Sequence, residues 1–171
     1  MSATQNTATQ QSSNFIDLHI NGLGYLRRVR SVTPRGSKSS YWAGEIGAMF
    51  GEKGVKDGVK YLNLDTNAVT EQAEHVLSTL QVDANNQDLR VMVQFKAGDP
   101  FIDSFTLTKG PNAGQVRTVL KARLLLIRRA WVKSATNADE QSGWKLVYEL
   151  PKQDAAPAED AEGTQNTGTN G

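Results

Sequence analysis

The feature that most limits the fold of this chain is one uninterrupted segment, Arg117–Lys133, whose residues predict a single β-strand. In extended conformation this segment would reach about 55 Å. A domain of this size has a radius of gyration of only about 14 Å. The strand must therefore coil around a barrel or project from the body as an arm.

The rest of the central region also predicts strands, arranged around one helix. Alternating apolar and polar residues predict strands at 16–32, 41–49, 60–65, 89–96, 101–108 and 143–150, and an apolar stripe at helical spacing predicts a helix over about 70–81. Gly22 and Gly24 interrupt the first strand, as at a bulge or a sharp bend. Turn-forming residues predict turns at 33–37, 98–100 and 109–114.

Three strands, one helix and then further strands is the order of the five-stranded Greek-key OB barrel, whose helix follows the third strand. The sequence therefore predicts a mostly β, OB-fold-like Greek-key barrel with an extended hairpin between strands four and five. Because periodicity does not determine which strands pair, a β-sandwich or another α+β sheet stays open.

The two ends of the chain differ from the centre in composition. Residues 1–14 are uncharged and polar, and residues 151–171 contain no aromatic, Leu, Ile or Val residue. Neither end can bury enough surface to offset chain entropy, so both are predicted to be disordered around one domain at 15–150.

Charge is distributed unevenly along the chain. The totals are 19 Lys+Arg and 18 Asp+Glu, but the tail after residue 150 has Lys152 against Asp154, Glu159, Asp160 and Glu162. A basic body with an acidic tail suggests an anionic partner, although solubilising charge alone would give the same composition.

Several classes of protein are excluded or disfavoured. The chain has no Cys, which excludes disulfides, thiolate metal sites and Cys nucleophiles and fits a reducing compartment. No apolar run approaches 18 residues and the N-terminus lacks the pattern of a secretory signal. We therefore expect a cytoplasmic protein without a membrane segment.

The sequence gives little support for a catalytic function. The two histidines, His19 and His75, have no second ligand at metal spacing, and Asp99 and Asp103 suit turn and strand-surface positions better than a catalytic pair. The glycine-rich segment 109–114 lacks the Gly-Lys-Ser/Thr ending of a phosphate loop. We expect no catalytic residues, no metal site and no cofactor, and hence no enzyme.

Basic residues interleaved with aromatic ones predict a nucleic-acid site. In an OB barrel the loops between strands one and two and between strands four and five flank the oligonucleotide groove. Charge holds the phosphates there, and unstacked bases lie on rings for about 1–3 kcal/mol each. The candidate residues are Arg28, Arg30, Arg35, Lys38, Tyr41, Trp42, Tyr61, Phe101, Phe105, Lys109, Arg117 and Arg123. Trp42 could equally be a core residue, since Ile46 shares its face, and Phe101 and Phe105 could pack the hairpin against the barrel.

Three segments carry a family resemblance: NFIDLHINGLGYLRRVRSVTPRGSKSSYWAGEIGAMFG, YLNLD and LRVMVQFKAGDPFIDSFTLTKG. They resemble the replication proteins of integrative conjugative elements, which are similar in layout to bacterial single-stranded-DNA-binding proteins. The resemblance covers about residues 14–133 and implies an OB fold, single-stranded DNA as ligand and a homo-oligomer. The bacterial proteins usually end in an acidic tail with an apolar tip, whereas this acidic tail ends Thr167–Gly171 without an apolar residue.

The functional prediction is single-stranded DNA binding with little sequence preference, in support of replication or transfer of a mobile genetic element. Replication or conjugation proteins are further candidate partners. Two alternatives stay open: a protein-interaction module of such a complex that does not contact DNA, and an RNA-binding OB domain.

Overall fold

A computed structural model describes residues 16–134 and 143–151 of the chain. The elements are β1 (His19–Val32), β2 (Tyr41–Gly51), β3 (Val59–Ala68), α1 (Glu71–Asn85), β4 (Leu89–Thr106), β5 (Val116–Ser134) and β6 (Lys145–Glu149). The predictions of disorder for 1–14 and for the tail beyond Pro151 lie outside the described residues.

The strands close into a ring. Their order is β3-β2-β1-β4-β5-β6, and β3 also pairs with β5. The β3–β5 pairing is parallel, from Leu64 opposite Leu120 to Ala68 opposite Leu124, while the other pairings are antiparallel. The ring β1-β2-β3-β5-β4 with a helix between β3 and β4 is the predicted OB-like Greek-key barrel, so the fold prediction is confirmed. Strand β6 adds to the far side of β5.

The core fills the barrel and the space under the helix. Ile46, Leu64, Val93 and Leu124 are fully buried and come from four different strands. The predicted helical stripe supplies four more buried side chains, Ala73, Val76, Leu77 and Leu80. The Thr70 side chain accepts a hydrogen bond from the Ala73 N–H and donates one to the Leu125 carbonyl, at 3.1 and 2.9 Å. The helix cap is therefore also the attachment of the helix to β5.

The long strand β5 both runs around the barrel and projects from it as an arm. Its middle part belongs to the ring through the pairing with β3, while residues near Val116 pair only with the end of β4, Thr106 opposite Val116. The tip closes where the Gly114 N–H donates to the Leu107 carbonyl at 2.7 Å. The predicted hairpin between strands four and five is present as this arm.

The turn predicted at Gly98-Asp99-Pro100 is wrong, because β4 continues through it. The register with β5 shifts between Gly98 and Phe101, and Asp99 has a φ of 50°. The Asp99 N–H donates to the Leu18 carbonyl at 3.0 Å. Pro100, which has no N–H to donate, lies at an unpaired position of this bulge. Gly, Asp and Pro usually end a strand, but here they form a bulge within β4.

The bulge or bend predicted at Gly22 and Gly24 lies elsewhere in β1. The pairing of β1 with β4 passes through both glycines without a shift, and the shift in β1 instead lies between Arg27 and Arg30. Gly24 is needed for a different reason: a Cβ there would lie 2.6 Å from Ile46 Cγ2.

Candidate nucleic-acid interface

The outer face of the barrel carries a row of three aromatic rings. The Tyr61 and Tyr25 ring centroids are 6.1 Å apart, and those of Tyr25 and Trp144 are 6.2 Å apart with the planes 26° from parallel. These rings come from β3, β1 and the residue before β6, and they line a groove of about 1080 Å³. We call it the aromatic groove.

Strand register explains why these rings meet. Tyr25 pairs with Gly47 on β2 and with Met92 on β4, and Tyr61 pairs with Met49. Gly47 has no side chain, and a Cβ there would lie 3.9 Å from the Tyr61 ring. The two tyrosines therefore approach each other across a backbone position that leaves them room.

Apolar side chains continue the groove on either side of the rings. Leu23, Met49 and Met92 line it together with Phe50. Phe50 and Tyr61 are both about half exposed, at 54% and 53%. Adjacent exposed apolar side chains of this kind mark a binding surface more often than a bare solvent face.

The charged residues of the groove all have one sign. Lys53, Arg90, Arg128 and Lys133 line it, and none of the described Asp or Glu residues does. The Lys133 Nζ lies 5.9 Å from the centre of the Trp144 ring, at the distance of a cation–π contact. The groove is thus apolar and aromatic along its floor and positive in charge.

Three of the predicted cationic residues are engaged in ion pairs. Arg28 pairs with Glu45 at 2.7 Å, Arg30 with Asp65 at 3.5 Å and Arg123 with Asp99 at 2.8 Å. Nearby on β5, Lys121 pairs with Asp103, and the hydrogen bond to that carboxylate raises the pKa of Lys121. Carboxylates of β3 and β4 therefore offset the charges of Arg30, Lys121 and Arg123, whereas Arg28 shares the single carboxylate of Glu45 with Arg27.

The other predicted residues are distributed over the barrel. Four cations make no ion pair with any described carboxylate: Arg35 and Lys38 in the β1–β2 loop, and Lys109 and Arg117 on the arm. Trp42 packs against the core, which is the structural alternative that the sequence left open. Tyr41 begins β2. Phe101 and Phe105 are exposed on the β4 side of the arm.

Of the predicted site, only Tyr61 lies in the aromatic groove. The aromatic and basic residues of the groove that are absent from the predicted set are Tyr25, Trp144, Lys53, Arg90, Arg128 and Lys133. One signal for Tyr25 was present: it shares the parity of His19 and Asn21, the polar side of the first strand. Trp144 gave none, since its place beside Tyr25 depends on how β6 joins the sheet.

Two other kinds of feature are absent from the described part of the chain. Its residues contain no group of three or more His, Asp or Glu side chains placed to hold a metal ion. Within the same residues, no helix combines the length and the apolarity needed to cross a bilayer.

Fold and surface together define a β-barrel protein of OB-like topology with an aromatic, cationic groove on its outer face. The chain belongs to the family described as "Protein of unknown function (DUF3577)", whose profile matches residues 8–143. A comparison with curated proteins finds no match.

Proposed function

We propose that this protein binds single-stranded DNA in the aromatic groove with little sequence preference. The observation that carries the proposal is the row Tyr61–Tyr25–Trp144, lined by cations and by no described carboxylate. Bases stack on the rings, and Lys53, Arg90 and Arg128 bind the phosphates.

The chemistry of the groove favours a single strand over a duplex. Rings can stack on a base only when the face of that base is not covered by its neighbours, as in unpaired, splayed nucleotides. Every base presents such a face, so stacking discriminates little between sequences. The proposed site therefore needs no pattern of donors and acceptors matched to particular base edges.

The proposed setting is the replication or transfer of a mobile genetic element. It is supported by the resemblance of residues 14–133 to integrative-conjugative-element replication proteins, and a homo-oligomer in the cytoplasm belongs to the same proposal. A catalytic role does not, since binding alone accounts for the groove.

The proposal is tested by fluorescence anisotropy with labelled oligo-dT, an unrelated duplex and oligo-U at several salt concentrations. We expect tight, salt-dependent binding to oligo-dT and weak binding to the duplex. Tyr61→Ala should lower the affinity by roughly 1–3 kcal/mol with a nearly unchanged salt slope, because it removes stacking surface. Val82→Ala is the matched control, since Val82 is 77% exposed on the helix and does not line the groove.

The outcomes separate the candidate functions. A folded wild-type protein without salt-dependent affinity for oligo-dT would overturn the proposal. Stronger binding to oligo-U than to oligo-dT would favour an RNA-binding domain.

A second candidate function is supported by the arm. Phe101 and Ile102 at the base of the arm and Phe105 and Val116 further along it are exposed, between 43% and 72%. Apolar side chains exposed on a two-stranded ribbon suit a protein-docking surface. Binding of a replication or conjugation protein by the arm, with no DNA contact, is the function that a failed DNA-binding test would favour.

A further inference from the structure

Two neighbouring arginines of β1 reach the same carboxylate. The Arg27 Nε donates to Glu45 Oε2 at 3.1 Å, and the Arg28 Nη1 donates to Glu45 Oε1 at 2.7 Å. In a regular strand, consecutive side chains point to opposite faces. Here the register with β2 shifts between Arg27 and Arg30, and Arg28 has a φ of 52°, in the left-handed region. The bulge therefore brings both guanidinium groups to one side.

The helix end holds this bulge in place. The Asn85 Oδ1 accepts a hydrogen bond from the Val29 N–H at 2.9 Å, and the Asn85 Nδ2 donates to the Val29 carbonyl at 2.7 Å. One side-chain amide thus replaces a neighbouring strand at Val29, whose side chain is 1% exposed. The left-handed residue next to it, Arg28, has a side chain that is 72% exposed.

Nothing in the packing of the fold requires an arginine at this strained position. A left-handed non-glycine residue costs of order 1–3 kcal/mol and persists where the surrounding structure enforces it, often at functional sites. A glycine would adopt the same backbone without that cost. The Arg28 side chain contacts Glu45 and is otherwise largely exposed, so its guanidinium has donors to offer a ligand outside the barrel.

The two arginines line a pocket of about 470 Å³. Arg90 lines it from β4, and Asn86 and Gln87 line it from the segment after the helix. Three arginines line the pocket and none of the described Asp or Glu residues does, so its charge is positive. Glu45 pairs with both Arg27 and Arg28, and the Arg27 Nη2 also donates to Asn63 Oδ1 at 2.9 Å. The pocket and the aromatic groove share two lining residues, Tyr25 and Arg90, so the two are neighbours.

We propose that this arginine pocket is a phosphate site, which binds a phosphate group of the DNA strand where the strand leaves the aromatic groove past Arg90. Guanidinium groups match the geometry of phosphate oxygens with paired N–H donors, and side-chain amides add neutral donors. The inference rests on the proposed function and deepens it: the strand runs along β1 and β4 towards the end of the helix, away from the ion-paired surface of Asp65 and Lys121.

The decisive variant is Arg28→Gly in the full chain. Glycine relieves the left-handed backbone, so we expect a melting temperature equal to or above that of the wild type. We expect the affinity for oligo-dT to fall about fivefold to tenfold and the slope of log affinity against log salt to flatten by about 0.7, because one phosphate contact is lost. Stability kept or gained while binding is lost is a result that a merely structural arginine would not give.

Two further variants serve as controls. Lys56→Gly removes the same charge from an exposed residue of the β2–β3 loop. Lys56 lines neither the pocket nor the groove, so this variant should change the affinity less than twofold. Arg28→Lys keeps the charge but loses the paired donors, and its affinity should lie between those of the wild type and the glycine variant.

The source of the phosphate is distinguished by the probe. An equal loss for oligo-dT with and without a 5′-phosphate assigns the pocket to a backbone phosphate, and a loss confined to the phosphorylated probe assigns it to a strand end. Wild-type binding that Arg28→Gly leaves unchanged in affinity and salt slope would overturn the inference and leave the proposed function standing.

If the wild type binds no oligo-dT, inorganic phosphate separates the two proposals. A rise in melting temperature with phosphate over chloride at equal ionic strength, present in the wild type and lost in Arg28→Gly, would support the pocket alone. No such rise would overturn both.

Discussion

At the scale of single residues, β1 combines two backbone requirements of opposite kind within five positions. Gly24 is a site where no side chain fits, because a Cβ there would lie 2.9 Å from the Gly47 carbonyl oxygen and 2.6 Å from Ile46 Cγ2. Arg28 is a site where a side chain is present although the backbone favours glycine. Gly24 allows β1 and β2 to pack closely, whereas Arg28 places a charged side chain on the surface of the barrel.

Gly24→Ala should destabilise the fold by about 1–3 kcal/mol, because the added methyl group forces Ile46 and the β2 backbone to move. The measurement is the free energy of unfolding in urea. Gly22→Ala is the matched control: its Cβ would lie 3.8 Å from the Phe95 ring, an ordinary contact, and the cost should be clearly smaller. Equal losses for the two variants would contradict the close packing at Gly24.

At the scale of elements, the contact between the helix end and β1 joins the barrel to the arginine pocket. The helix extends to Asn85, four residues beyond the predicted Gln81. The fully buried stripe ends at Leu80, and beyond it only the half-buried Ala84 continues the spacing and packs against the core. So weak a signal did not extend the predicted helix over the last turn. It is needed because Asn85 pairs with the backbone of Val29.

Asn85→Ala should lower the free energy of unfolding by about 2–3 kcal/mol, since it leaves both polar backbone groups of Val29 without their partner. It should also weaken oligo-dT binding, because the bulge that carries Arg28 loses its support. Asn86→Ala is the control for stability alone, because the Asn86 side chain accepts from the nearby Asp88 N–H and makes no bond to β1, while it also lines the pocket. Thermal and urea unfolding measure the stability of both variants. If their free energies of unfolding differ by less than about 0.5 kcal/mol, Asn85 does not have this role.

At the scale of the whole molecule, the order of elements was predictable and the site was not. Strand alternation and the stripe Ala73, Val76, Leu77, Leu80 are local patterns, and the OB-like order follows from them. The aromatic groove depends on pairings between distant segments, such as Tyr25 with Met92 and Arg129 with Glu149. Bulges at Arg28 and Asp99 shift the β1–β2 and β4–β5 registers. The sequence marked the second of these positions, although as a turn, and gave no signal for the first.

The acidic tail belongs to the same scale. The Leu150 N–H donates to the carbonyl of Arg128, a groove residue, at 2.8 Å. Asp154, Glu159, Asp160 and Glu162 follow within a dozen residues of that point. Because the chain tethers these carboxylates to Leu150, we expect them to compete with DNA phosphates for the cations of the groove.

Deleting residues 153–171 should therefore tighten binding to oligo-dT, most strongly at low salt, where charges are least screened. Anisotropy titrations at low and high salt measure the effect. A tail in which the four carboxylates are replaced by amides should behave like the deletion. Unchanged affinity at low salt in both would show that the tail does not compete with DNA.

The most direct test of the central claim locates the DNA on the protein. Oligo-dT carrying 5-iodouracil is photo-crosslinked to the full-length wild-type chain, and the attached residues are identified by mass spectrometry. The account predicts crosslinks to Tyr25, Tyr61 and Trp144, the three rings of the aromatic groove. Crosslinks confined to Phe101 and Phe105 of the arm would contradict it.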